Sequence, residues 1–398
     1  MLSVAEALSR ILTYTLPLPT ETVPLTQAVG RVLREDIRAD RDFPPFDRVT
    51  MDGIAIRYEA FAGGQRTFPI IGTQFAGQPL FTLTTPDECL EVMTGAVLPD
   101  GTDTVIRYED ITVANGVATI AIDEIQAGQN VHRQATDRQA GELLLPAGTR
   151  LRPTEIAVLA SVGKPTVAVS ALPRIALIST GDELVGVDET PLLHQIRGSN
   201  TYMLYAALQT LGIEASLNHL PDDQAKMTAG LATILQKNDL LILSGGVSAG
   251  MADFVPGVMM DLGVRERFHK IAQRPGKPLW FGTTDAGKVV FGLPGNPVST
   301  TMCLYRYLLP FLHASMGCQS EYTRFATLAE PVTFKPALTY FLPVKLISQP
   351  DGSQLAQPLP GSGSGDYANL IDADGFLELP AEQSDFKAGE VFLILTFS

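Results

Sequence analysis

The chain has 398 residues, with 45% hydrophobic, 18% charged and 7% aromatic content; this is too long for one ordinary core and too apolar for disorder, so two to four globular domains are expected. A net charge of −14 argues against a nucleic-acid phosphate backbone as partner, and any small anion must be met by cations gathered locally. Cys89, Cys303 and Cys318 are odd in number and form no CxxC pair, which argues against a disulfide framework or a zinc site and fits a reducing, cytoplasmic compartment.

The opening MLSVAEALSRIL places Ser3 and Glu6 at capping-box spacing and predicts an amphipathic helix over 3–14, not a secretory leader. A short strand over 21–25 and a helical stretch over 26–33 follow, then FPPFDRVTMDGIAI (43–56), a Pro-rich turn running into an alternating strand. Over 66–127 the segments TFPIIG, LTTPDECLEVMTG, TDTVIRYEDITV and GVATIAI read as short strands of a small β-rich domain. The chain returns through 128–137 and 143–151 to a helix over 153–161, expected to pack on the first helix in a discontinuous domain. From Arg174 onward the apolar runs RIALIS, DLLILS and KVVFGL alternate with helical stretches at 199–211, 222–236 and 297–314. Such runs are strands buried on both faces, which demand parallel pairing with helical crossovers and predict a three-layer α/β domain. After 320, ATLAEPVTF, TYFLPVKLIS, GFLELP and VFLILTFS predict a terminal β-barrel or sandwich, with GSGSGD (361–366) as a flexible loop. The expected domains are 1–42 with 138–170, 43–137, 171–318 and 319–398. No run of about 18 apolar residues is present, so no membrane span is expected.

Each strong α/β strand ends in small or polar residues: TGDEL (180–184), GGVSAGMADF (245–254) and GLPGNPVS (292–299). Ligands of open parallel sheets bind at the carboxyl ends of strands, where glycines expose backbone N–H groups and helix N-termini favour anions. No Walker motif and no GxGxxG is present. In RPGKP (274–278) a Pro-Gly turn can aim Arg274 and Lys277 at one compact dianion, with His269 and Lys270 just before it. Asp182, Glu183, Asp222, Asp223 and Asp253 border the same edge; beside a phosphate they need a bridging hard cation such as Mg²⁺, or they hydrogen-bond a ligand, or they merely cap loops and helices. Asp52, Thr94 and Asp137 come from the β-rich part and read singly as turn or cap residues. Cys89 and the five histidines look inert, since no Ser/His/Asp set or metal-ligand His pair is evident.

Several segments together resemble the MoeA family of molybdopterin molybdenumtransferases, which is similar to the E domain of gephyrin. They are AVGRVLREDIRAD, FPPFDRVTMDGIAI, EVMTGAVLPDGTDTVIRYED, the stretch 129–137, LPAGTRLRPTEIAVLASVG, ALISTGDEL, LSGGVSAGMADF, RPGKP and VVFGLPGNPVS. The resemblance implies four domains and a homodimer, with the α/β part as the molybdopterin-binding domain. It implies Mg²⁺-dependent insertion of molybdate into adenylylated molybdopterin with release of AMP, in the biosynthesis of molybdenum cofactor. The site would be shared between subunits, the second subunit bringing Asp52, Thr94 and Asp137. Glu183, Asp222 and Asp253 match acids beside the pterin nucleotide, and Lys270, Arg274, Lys277 and Ser299 match groups around molybdate and phosphate. Thr180, Gly181, Asp182, Ser244, Gly245, Gly246, Ser248, Pro294, Gly295, Asn296, Pro297 and Ser364 complete the implied binding set, with Asp182, Glu183 and Asp253 as Mg²⁺ ligands. A molybdopterin adenylyltransferase is a candidate partner; no nucleic acid or membrane is implied. Two departures stand out: Arg274 where many relatives have Lys, and Leu338 in KPALTYFLPV where the family usually has Arg, with Lys345 the candidate to compensate. Rival readings are a molybdopterin-adenylylating enzyme, a non-catalytic scaffold and a molybdopterin sensor.

Overall fold

The computed structural model describes residues 1–246, 255–319, 323–359, 363 and 365–397. Two compact units emerge: Met1–Glu35, Ala147–Ile156 and Thr166–Ser398 form one, and Asp36–Pro146 with Ala157–Pro165 the other.

The first unit begins with the helix Val4–Leu12. Ser3 Oγ accepts from the Glu6 N–H at 3.2 Å and the Glu6 carboxylate accepts from the Ser3 N–H at 2.8 Å, the reciprocal cap that the sequence predicts. The helix buries Val4, Ala7 and Ile11 and packs on helix Leu309–Ser315. The helix expected over 26–33 is absent: only a 3₁₀ turn, Leu25–Gln27, forms there. Gly30 at φ +81° breaks any helix, and the N–H groups of Gly30 and Leu33 turn instead to the carbonyls of Leu151 (2.7 Å) and Thr149 (2.9 Å).

Its centre is a six-stranded sheet. Ala215–Leu220, Ile175–Thr180, Leu240–Ser244 and Val289–Leu293 run parallel in that order; Trp280–Thr283 follows antiparallel, and Arg265–His269, antiparallel to it, forms the far edge. Alternate residues of each apolar run feed opposite faces. Ile175, Leu177, Leu240, Ile242, Val289 and Phe291 join helices Asn200–Gln209 and Pro297–Cys303 on one side. Ala176, Ile178, Leu241, Leu243 and Val290 join helices Gln224–Lys237 and Val255–Asp261 on the other. These are the three layers; each buried Leu or Ile contributes about 1.5–3 kcal/mol. The carboxyl ends of the four parallel strands share one edge, so their turns cluster there.

After the α/β part, Thr339–Ser348 pairs with both Gln354–Pro358 and Gly375–Leu379, and Arg324–Leu328 and Val391–Thr396 close a five-stranded barrel. Gln273–Arg274 joins it as a short parallel addition, Gln273 opposite Thr339 and Arg274 opposite Tyr340.

In the second unit Thr104–Arg107, Gly53–Ile56, Cys89–Val92, Thr67–Gln74, Val117–Ile120 and Ile111–Ala114 form a curled sheet in that order. The strand Gly53–Ile56 does not alternate; all four residues are buried. It pairs on both edges, and Ile54 and Ile56 enter one cluster while Ala55 enters another. Among the described residues no helix is long and apolar enough to cross a membrane.

Candidate active site

Around the turn 275–276 the first unit forms a pocket of about 580 Å³, lined by Arg274 and Lys277 on one side and by Pro294, Asn296 and Ser299 of the Gly-rich loop and following helix on another. Ser299 is buried and Pro297 occupies the first turn of helix Pro297–Cys303. The remaining wall is apolar: Leu338, Tyr340, Phe341 and Pro343 of the barrel. Leu338, where the resemblance implies an Arg, is thus part of the pocket, whereas Lys345 is exposed, pairs opposite Gln357 and does not line it. Among the described residues, Lys270, Arg274 and Lys277 have no carboxylate within ion-pair distance. Arg274 lies instead 5.9 Å over the Phe334 ring, and Lys270, at φ +73°, lies outside the pocket lining.

A second pocket, about 410 Å³, opens at the carboxyl ends of Ile175–Thr180 and Leu240–Ser244. Thr180, Glu183, Ser244, Gly245, Gly295, Asn296 and Pro297 line it, so Asn296 belongs to both pockets. The Thr180 hydroxyl is buried with no hydrogen-bond partner among the described residues, an open donor in this wall. Gly246 has to be glycine: its φ is +69°, and an added Cβ would stand 2.7 Å from Val255 Cγ2 and 2.9 Å from Thr180 Oγ1. Gly181, at φ +126°, makes room for the Glu183 carboxylate, which a Cβ there would strike. Asp182 and Asp222 hold each other's loops. The Asp182 N–H donates to Asp222 Oδ2 at 3.4 Å and the Asp222 N–H to Asp182 Oδ1 at 3.2 Å, so each carboxylate lies against the other residue's backbone. Asp223, not Asp222, caps the following helix.

Sequence reasoning missed Asn200, Tyr367, Arg197 and Ser179 here. Asn200 donates to Ser244 Oγ (2.8 Å) and to the Gly295 carbonyl (2.7 Å), tying two of the three strand-end turns together. Tyr367 donates to Asn200 Oδ1 at 2.8 Å and brings the barrel's chain to the same pocket, and burial pushes its phenol up to about 12. Arg197 also lines this pocket, and Ser179 Oγ lies 3.1 Å from His219 Nδ1. Asn200 and Tyr367 come together only through tertiary contact, whereas Ser179 and His219, and Arg197, are placed by strand pairing. Ser248, Asp253 and Ser364 lie outside the described residues.

The second unit holds its own polar set on one small ladder. Strand Arg48–Val49 pairs with Val131–His132, and Val49 exchanges hydrogen bonds with Gly95 and Ala96 on its other edge. Asp52 Oδ1 accepts from both the backbone N–H and the hydroxyl of Thr94, at 2.7 Å each; these bonds, the backbone one first, hold the Asp52 carboxyl below the usual carboxylate range. Asp137 Oδ1 lies 3.0 Å from His132 Nε2, and His132 Nδ1 lies 3.2 Å from an Arg48 guanidinium nitrogen. His132, read from the sequence as inert, is thus the residue that holds Asp137, one of the candidate site residues.

Three family descriptions match in chain order: "MoeA N-terminal region (domain I and II)" over residues 2–163, "Probable molybdopterin binding domain" over 176–314 and "MoeA C-terminal region (domain IV)" over 326–397. A molybdopterin molybdenumtransferase of Synechocystis sp. is 42% identical over 395 residues, spanning 98% of this chain and 99% of that protein. The chain belongs to the molybdopterin molybdenumtransferase family. Relatives of the same name from Synechococcus elongatus (36% identical, 94% of each chain) and Bacillus subtilis (32%, 98% and 93%) agree along their length. Two crystal structures of a molybdopterin biosynthesis moeA protein from Pyrococcus horikoshii superpose at TM-scores of 0.81 (33% identical, 100% of this chain and 99% of that one) and 0.84 (27%, 100% of both). This transferase of molybdenum cofactor biosynthesis thus has the family's α/β sheet, curled sheet and five-stranded barrel.

Proposed function

We propose that this transferase inserts molybdate into adenylylated molybdopterin and releases AMP. The observation that carries the reading is the gathering of Arg274, Lys277 and Ser299 around one pocket that shares Asn296 with a second, hydroxyl-lined pocket. A compact dianion suits the first, where two fixed cations and a buried hydroxyl replace its hydration. A pterin nucleotide suits the second, with Thr180 and Glu183 available to its donors and acceptors and the Gly245–Gly246 backbone beside its phosphates. Arg274 and Lys277 would neutralise charge as the phosphoanhydride opens, and holding both reactants across Asn296 would supply positioning.

Mg²⁺ fits the donor set. Among the described residues no group of three metal-ligating side chains exists, but Asp182 and Glu183, with Asp222 beside them, offer the one or two carboxylates that Mg²⁺ takes together with substrate phosphate oxygens. Asp182 and Glu183 would hold the ion, with Asp253 as third ligand. When bound, Mg²⁺ offsets the charge of the phosphoanhydride.

The proposed assembly is a cytoplasmic homodimer, in which Asp52, Thr94 and Asp137 of the partner subunit complete the site. The four-domain division at 1–42 with 138–170, 43–137, 171–318 and 319–398 belongs to the same proposal. Purified protein incubated with adenylylated molybdopterin, Mg²⁺ and molybdate should release AMP and place molybdenum in the pterin in equal amounts; AMP release without metal transfer would defeat the reading. Lys277→Ala should raise the molybdate KM by roughly ten- to a hundredfold, the loss of one charge-assisted bond of about 1.5–3 kcal/mol, with turnover recovering at saturating molybdate.

A further inference from the structure

Gln273 is fully buried at the floor of the cation pocket. An amide in such surroundings costs free energy unless both ends are paired. Here both are: Nε2 donates to the Gly276 carbonyl at 3.0 Å, and Oε1 accepts from the Tyr307 hydroxyl. Tyr307 is fully buried too, and burial pushes its phenol far up, so it remains a proton donor throughout the working pH range. Methionine and phenylalanine would fill the same space with no polar group to satisfy, so packing alone does not account for this pair.

The bonds act on the turn that carries the cations. Gly276, at φ +86°, rests flush on helix Pro297–Cys303: an added Cβ would lie 2.6 Å from Met302 Cε and 3.0 Å from Cys303 Sγ. Gln273 and Arg274 are also fixed from the barrel side through Thr339 and Tyr340. Tyr307 belongs to a π-helical turn, Leu304–Leu308, an insertion that changes the direction in which successive side chains leave the helix. We infer that the Gln273–Tyr307 pair is a positioning device, setting the height of the 275–276 turn above the helix so that Arg274 and Lys277 converge on one compact oxyanion. The inference rests on the reading of this pocket as the molybdate site.

The test uses the full-length protein with saturating adenylylated molybdopterin and varied molybdate. Gln273→Met and Tyr307→Phe should each raise the molybdate KM about tenfold while kcat stays within about twofold, and the double variant should be no worse than Gln273→Met, because the pair acts as one unit. Thermal midpoints are read alongside. Arg274→Ala serves as the reference: an unmoved molybdate KM in that variant removes the assignment of the pocket itself. A raised KM for Arg274→Ala, with Gln273→Met and Tyr307→Phe within about twofold of native, overturns the positioning role alone, whatever their melting temperatures do. If Gln273→Met does not fold, Tyr307→Phe, which removes a single oxygen, decides by the same criterion.

Discussion

At the scale of single residues, the orientation of Asp137 follows from elementary hydrogen-bond bookkeeping. A guanidinium can only donate, so the 3.2 Å contact from Arg48 makes His132 Nδ1 the acceptor. That leaves Nε2 carrying the proton and donating to Asp137 Oδ1 at 3.0 Å. The Asp137 side chain is 57% exposed, so without the imidazole it would sample several rotamers. His132→Ala should therefore reduce turnover by roughly tenfold, towards the level of Asp137→Ala, since a misplaced acid loses its geometric advantage. If Asp137→Ala is crippled and His132→Ala matches native protein in the AMP-release assay, the ring is a bystander. The sequence does not reveal this pair, because Arg48 reaches His132 only once two distant segments have paired as strands.

The π-helical turn is the element that joins the parts of the first unit. Three consecutive side chains leave it for three destinations: the Tyr305 hydroxyl donates to the Phe397 carbonyl at 3.1 Å, Arg306 meets Glu378 at 2.9 Å and Tyr307 reaches Gln273. The Arg306–Glu378 pair is only 14% and 17% exposed, and its closest nitrogen–oxygen approach is not aligned as a hydrogen bond. Burial raises the Glu378 carboxyl, partly offset by Arg306. Arg306→Met should cost about 3 kcal/mol by stranding that carboxylate. With its folded pKa above its unfolded one, Glu378 binds a proton more readily in the folded state, so the penalty is largest above the folded value and disappears below about pH 4. Thermal midpoints of native and variant protein at pH 4 and pH 8 check this; an equal deficit at both refutes it. Nothing in LYRYL announces a π turn, yet the elements around it were legible. RIALIS, DLLILS and KVVFGL are central strands because burial on both faces forces a continuous apolar run. Ala215–Leu220 and Arg265–His269 escaped notice because they are the sheet's two edges, where exposure admits Asn, His, Arg and Glu. The strand-end loops were legible as a candidate anion site because glycine and a paired Arg and Lys carry their chemistry locally. Gln273, Asn200 and Tyr367 were not, since each acts only through a partner that folding supplies.

For the molecule as a whole, two electrostatic fields act on an approaching oxyanion in opposite senses. A net charge of −14 repels it over long distances, whereas Arg274 and Lys277, lacking carboxylate partners among the described residues, attract it at close range. Salt separates the two. The screening length falls from about 30 Å at 0.01 M to about 8 Å at 0.15 M, which removes most of the distributed repulsion but little of an attraction acting over a few ångströms in a pocket. With the pterin nucleotide saturating, kcat/KM for molybdate should therefore rise severalfold, on the order of 2–5, as a non-competing salt is raised across that range. Lys277→Ala should follow the same upward trend from a lower level, because it changes the contact and leaves the long-range field nearly intact. A steady fall with salt would mean that the local cations dominate the encounter at every distance, and the picture of a positive pocket set in a repulsive surface would have to be abandoned.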